Sequence, residues 1–152
     1  MDWVIVIWSG FVATTLTASF FWTAHSFGWT AFNPTVQIGH LLVDDPRRPL
    51  TETVGLLILF AGGSTIAPAL YQAALTLWGG PNWMGGLVVG GFVGIVTSAA
   101  LPFVGTIRAR TRGGTTPPPG PFGIGWGKLT PGIVVAGSMI YGVVVAAVLA
   151  SF

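Results

Sequence analysis

The chain predicts an all-α membrane protein: four transmembrane helices in a compact bundle, with a short interfacial helix in the first long loop. Three observations predict it. Four apolar runs, at about residues 3–24, 54–78, 83–105 and 133–152, contain no Asp, Glu, Lys or Arg. Each is close to the ~20 residues that cross a hydrocarbon core of roughly 30 Å. Only 7% of the residues are charged and 52% are hydrophobic, whereas an average soluble domain is roughly one quarter charged. Finally, all six basic residues fall in two polar intervals, Arg47 and Arg48 in one and Arg108, Arg110, Arg112 and Lys128 in the other. Four crossings put both intervals on the same face, and the positive-inside rule makes that face cytoplasmic. The expectation is a single domain, residues 1–152, spanning the cell inner (plasma) membrane with both termini outside and the long loops cytoplasmic.

The first span follows Met1 and Asp2, which offer no basic n-region, and its apolar stretch is long for a signal h-region, so it is expected to remain in place. Gly10, Thr14 and Ala18 give it a small-residue face at intervals of four. After it, Asn33-Pro34 reads as an N-cap followed by proline at the first helical position, which predicts a helix over about 34–43 lying at the membrane surface. Asp44-Asp45-Pro46 ends it. Thr51 is a candidate cap for the second span, with Glu52 well placed against the helix dipole.

Pro68 stands midway along the second span. It removes one backbone donor and displaces the carbonyl of Ser64, so a kink is expected. Ser64 or Thr65 can satisfy the freed backbone locally. Alternatively the kink forms a hinge or polar pocket, with Tyr71 and Gln72 one turn away. The third span carries Gly86, Gly90 and Gly94 at intervals of four, doubled by Gly85 and Gly91. Such a face lets another backbone approach closely, within the bundle or from a partner subunit or lipid. Gly63 and Ala67 in the second span, and Ser138 and Gly142 in the fourth, repeat the pattern.

In the second long loop, residues 107–130, Arg108, Arg110 and Arg112 alternate, which would align them on one side of an extended strand facing lipid phosphates or an acidic partner. The prolines at 117–119 favour a stiff polyproline II stretch. Phe122, Ile124 and Trp126, interleaved with glycine, would dip into the interface or dock on a neighbour. Trp3, Trp78 and Trp83 are expected near the outer interface, and Trp22, Trp29 and Trp126 near the inner one, while Trp8 falls inside.

Chemistry-bearing residues are few. Cysteine is absent, which excludes disulfides, iron–sulfur clusters and thiol chemistry. His25 and His40, with Asp44 and Asp45, could be imagined as metal ligands, and either histidine as an axial haem ligand, but the histidines do not share a helix face. Glu52 is the only glutamate, and no phosphate loop, nucleophile elbow or HExxH is present. The residues therefore predict no catalytic activity, no cofactor and no metal. The net charge of +2 comes from residues that abut spans, so anionic lipid headgroups, not nucleic acid, are their expected partners.

Gly10-Phe11-Val12-Ala13-Thr14, Ala67-Pro68-Ala69-Leu70-Tyr71, the glycine-rich third span and Ile140-Tyr141-Gly142-Val143-Val144 together resemble a family of small four-helix prokaryotic integral membrane proteins of unknown function. The resemblance covers most of the chain in order and implies the four-helix fold without an activity. Members of that family often carry histidine in the later spans, including just before the Tyr-Gly pair, where this chain has Gly137-Ser138-Met139.

Lacking catalytic or ion-path residues but rich in docking surfaces, the sequence suggests a non-catalytic accessory or structural subunit of a larger membrane complex, most plausibly a respiratory or photosynthetic electron-transfer assembly. Gly86, Gly90, Gly94 and Pro68 would serve helix packing or partner contact. Arg47, Arg48, Arg108, Arg110, Arg112, Lys128 and Trp126 would meet lipid headgroups or other integral membrane subunits. The alternative is a small homo-oligomeric transporter or channel, with Pro68 as a hinge and Ser64, Thr65 and Gln72 lining a path. Orientation is directly testable: a periplasm-active reporter fused at the C-terminus should be active, and cytoplasmic activity there would overturn the assignment.

Overall fold

A bilayer offers no water to bond backbone N–H and C=O groups, so an apolar segment crossing it satisfies them internally as a helix. The computed structural model describes residues 2–43, 48–112 and 119–152, and the side chains of all these except 48 and 104–112. Its elements are α1 (Trp3–Ser26), α2 (Pro34–Leu42), α3 (Arg48–Ser64), α4 (Ile66–Leu77), α5 (Trp83–Arg112), a short 3-10 segment (Pro121–Trp126) and α6 (Thr130–Ala150). Among the described residues, no strand occurs, and four stretches are long and apolar enough to span a membrane: Trp3–Ser26, Pro49–Leu77, Trp83–Phe103 and Thr130–Ala150.

Hydroxyls on the outer surface follow the same rule as the backbone. Those of Thr15, Ser19, Thr23, Thr65 and Thr76 are exposed, yet each donates to the carbonyl four residues earlier at 2.6–2.8 Å. A hydroxyl bonded back to its own helix can face hydrocarbon without an unmet donor.

Helix contacts are set by small residues. α5 and α6 form the most extensive pair. A methyl group added at Gly86 would collide with the Gly142 carbonyl, at Gly90 with that of Ser138, and at Gly94 with the backbone of Val135. The glycine face therefore meets α6 of the same chain, and Gly85 and Gly91 are covered by Leu75, Trp78 and Met139. On α1, Gly10 and Thr14 meet Gly63, Ser64 and Pro68. One pairing escaped the sequence reading. Gly39 of α2 lies on the backbone of Thr51, and Gly55 of α3 on that of Thr35, so two small residues four apart on each helix lock α2 onto α3.

Several boundaries differ from expectation. α3 starts at Arg48, six residues before the apolar run, and Thr51 is an interior helical residue with no exposure. It is not a cap, because the helix begins three residues before it. α5 continues to Arg112 instead of ending near 105. Positions 108, 110 and 112 are helical, so they are distributed around an axis and do not share one side as in a strand. Arg and Ala are good helix formers, and no breaker intervenes before Gly113. Pro102, unremarked in the sequence, lies within this helix. Asp44 to Arg47 and the stretch 113–118, with the first two prolines of the expected polyproline segment, lie outside the described residues.

The two long loops are stitched together. The Thr30 and Thr130 hydroxyls are 2.7 Å apart and buried, and the Ala31 N–H donates to the Trp126 carbonyl at 2.7 Å. Trp126 departs from its expected role as an interface anchor. Its indole is only 7% exposed, packed with Phe32, Leu101 and Val134 and stacked on Phe32 at 5.6 Å. The turns that aim it inward use Gly123 at φ +80, pressed against Leu101, and Phe122 at φ +54.

The packing predicts a contrast between two glycines. Gly90→Val should lower stability by about 1–3 kcal/mol through overpacking on Ser138, whereas Gly62→Ala, with nothing within 4 Å, should be neutral or raise it by up to about 1 kcal/mol. Thermal unfolding in mild detergent distinguishes them, and equal melting temperatures would refute the α5–α6 contact.

Candidate polar site at the break in the second span

Proline has no N–H and its ring displaces the carbonyl four residues earlier. Pro68 accordingly sits just after a break: α3 ends at Ser64, Thr65 leaves the helical path at φ −119 and ψ −66, and α4 restarts at Ile66. The proline ring is fully buried. It packs against Gly10, whose missing side chain also admits the Gly63 carbonyl and the Ser64 backbone.

A residue from the last helix ties this break. The Tyr141 hydroxyl donates to the Gly63 carbonyl at 2.6 Å. Its ring lies 5.0 Å from that of Tyr71 at 60°, and the Tyr71 hydroxyl makes a longer bond, 3.5 Å, to the Ser138 carbonyl. Ala13 and Val145 close the cluster around the two tyrosines. Thr14 Oγ1 faces Gly63. Two atoms here or one turn away, Ser64 Oγ and Gln72 Oε1, are buried without a hydrogen-bond partner among the described residues, and the Thr14 hydroxyl lies against that of Tyr141. Thr14 is 3% and Ser64 8% exposed.

This arrangement offers hydroxyls, an amide oxygen and backbone carbonyls, with no charge. Such groups can both donate and accept hydrogen bonds. The site has no nucleophile paired with a base, and among the described residues no three His, Cys, Asp or Glu side chains converge as metal ligands.

Of the residues singled out in the sequence, Pro68, Ser64 and Tyr71 come together here, and Gln72 follows one turn on. Thr65 does not: it is exposed and bonded to the Ala61 carbonyl at 2.6 Å. Thr14 was legible only as a packing residue and Tyr141 only within an apolar motif. The available signal was that a tyrosine deep in an apolar span needs a partner for its hydroxyl.

The remaining candidates are dispersed. His25 lies at the end of α1 with Nδ1 3.1 Å from the Thr30 carbonyl, and since a carbonyl only accepts, Nδ1 carries the proton. His40 is on α2 and is engaged within the chain. Lys128 is exposed between the 3-10 segment and α6. Arg47 lies outside the described residues, and of Arg48, Arg108, Arg110 and Arg112 only the backbone is described.

Comparison with protein-family models, with curated proteins and with solved structures finds no match for the chain.

The two tyrosines should differ in their contribution. Tyr141→Phe removes the short bond to Gly63 and should lower stability by about 0.6–1.7 kcal/mol, the range for hydrogen bonds between membrane helices. Tyr71→Phe, with its longer bond, should fall at or below the bottom of that range. Reversible unfolding in mixed micelles measures both, and a Tyr141→Phe protein as stable as the parent would exclude the bond.

Proposed function

We propose that the chain is a small homo-oligomeric membrane transporter or channel for an uncharged, hydrogen-bonding solute, with the break at Ser64–Pro68 as its polar site. In this reading it is a compact four-helix bundle in the cell inner (plasma) membrane, with both termini outside, the long loops cytoplasmic and α2 lying along the cytoplasmic surface. The observation that carries it is a buried polar cluster at a helix break far from either end of the span, in which the Ser64 hydroxyl has no partner among the described residues. An unmet buried donor or acceptor costs about 1–3 kcal/mol, and non-helical backbone is tolerated at membrane depth where it is enclosed by protein or lines a cavity. A bound polar guest recovers that cost. Discontinuous helices near the midplane are also where transporters place their substrate sites.

The broken span is the one its own chain covers least: 17% of its 18-residue apolar window is buried, against 33–39% for the other three. A second copy packed on this side would enclose the path, which is why the reading includes oligomers. Hydroxyls at the site can donate as well as accept, which suits a neutral hydrogen-bonding solute.

Service as an accessory subunit of an electron-transfer complex is the second reading. Two of the surfaces first assigned to it are used within the chain, the glycine face by α6 and Trp126 by Phe32. What favours it is an aromatic run, Trp8 stacked on Phe11 at 5.9 Å and Phe11 against Phe60 at 5.7 Å, with Trp8 54% exposed well inside the span.

Vesicles reconstituted with the purified protein should shrink and reswell faster than empty ones in a glycerol or urea gradient. Thr14→Val and Gln72→Leu should each reduce that rate about tenfold, with folding confirmed by unchanged elution and melting. Flux equal to that of empty vesicles sinks the transport reading. Native mass spectrometry of gently extracted membranes tests the other one, which requires co-purifying cytochrome-bearing or pigment-bearing chains.

A further inference from the structure

We infer that the chain holds a structural phospholipid with a primary ammonium headgroup in a groove between α1 and the α2–α3 pair. The groove is a cavity of about 540 Å3 at the end of α1 and the start of α3. Its position on the fold is independent of the break in the second span, and the inference does not rest on the transport reading.

Three properties of the groove select this occupant. It is amphipathic along its length: Phe21, Trp22 and Leu56 supply apolar walls, while Asn33, Glu52 and Thr53 supply polar groups from the ends of α2 and α3. That division matches a molecule with an acyl part and a headgroup. The groove also lies at the end of the spans, where lipid headgroups lie, and Trp22, 72% exposed, is the kind of side chain that straddles that boundary. The third property is charge. Glu52 is the only glutamate of the chain and lines this cavity. A carboxylate has about four acceptor sites, so a lipid ammonium can add its N–H donors to whatever Glu52 already engages within the chain.

Asn33 complements the carboxylate. Its Oδ1 is occupied as the cap of α2, accepting from the Thr35 N–H at 3.2 Å and the Thr35 hydroxyl at 2.7 Å. The amide nitrogen of the same side chain is a donor, suited to a phosphate or ester oxygen. The wall carrying these groups is fixed in place, because Gly39 and Gly55 bring α2 and α3 into backbone contact. A bilayer lipid therefore meets a prearranged acceptor and donor on a rigid surface. Preorganisation of this kind is what separates a resident lipid from an annular one.

Native mass spectrometry with titrated lipid tests the inference on the full chain. Delipidated protein in mild detergent should retain phosphatidylethanolamine at least threefold more tightly than phosphatidylglycerol of the same acyl composition. Glu52→Gln should abolish that preference, and Thr53→Trp, which fills the groove, should reduce retention of both lipids at least threefold. Equal affinity for the two lipids in the unaltered protein overturns the inference without any variant, so a Glu52→Gln protein that fails to fold does not shelter it. A preference that survives Glu52→Gln in a folded protein overturns it as well.

Discussion

Polar groups within the four spans have to find partners in the chain itself, and much of the fold follows from that requirement. It explains why the apolar runs are helical, and why threonine and serine hydroxyls on the outer surface bend back to their own carbonyls. At the break before Pro68, where the rule is strained, a tyrosine from α6 donates to the Gly63 carbonyl. The same rule makes the Ser64 hydroxyl, without a partner among the described residues, the point where a polar guest would be held most economically.

Close helix approach brings those groups together. Water does not drive helix association inside a bilayer, so contact depends on van der Waals fit, and small residues let backbones meet. Three such contacts do different jobs here. Gly86, Gly90 and Gly94 join α5 to α6, Gly10 joins α1 to the break, and Gly39 with Gly55 joins α2 to α3. The second contact positions Thr14 and Pro68, and the third builds one wall of the groove at Glu52. Site and scaffold are thus one set of contacts, and altering a glycine alters both.

Surfaces that look available in sequence are occupied in three dimensions. A glycine-rich face has no address written on it: it packs as well on a neighbour from its own chain as on a partner. Trp126 is similar, since a tryptophan in a Gly/Pro-rich loop fits a headgroup layer or a core equally well by composition. The turn at Phe122 and Gly123, together with Thr30 and Thr130, resolves that choice toward the interior.

By itself the sequence determined the class of the protein, the four apolar stretches, the N-cap at Asn33 and the break at Pro68, because each follows from local physics: span length, hydropathy, side-chain capping and the missing proline N–H. Pairings between distant residues were beyond it. Which helix receives the glycine face, that Tyr141 bonds Gly63 across 78 positions, that Thr51 is buried against Gly39, and that α2 and α3 form a wall beside Glu52 are decided by tertiary packing. Helical periodicity gives each residue a direction around its own axis, and only the neighbouring helix decides what that direction meets.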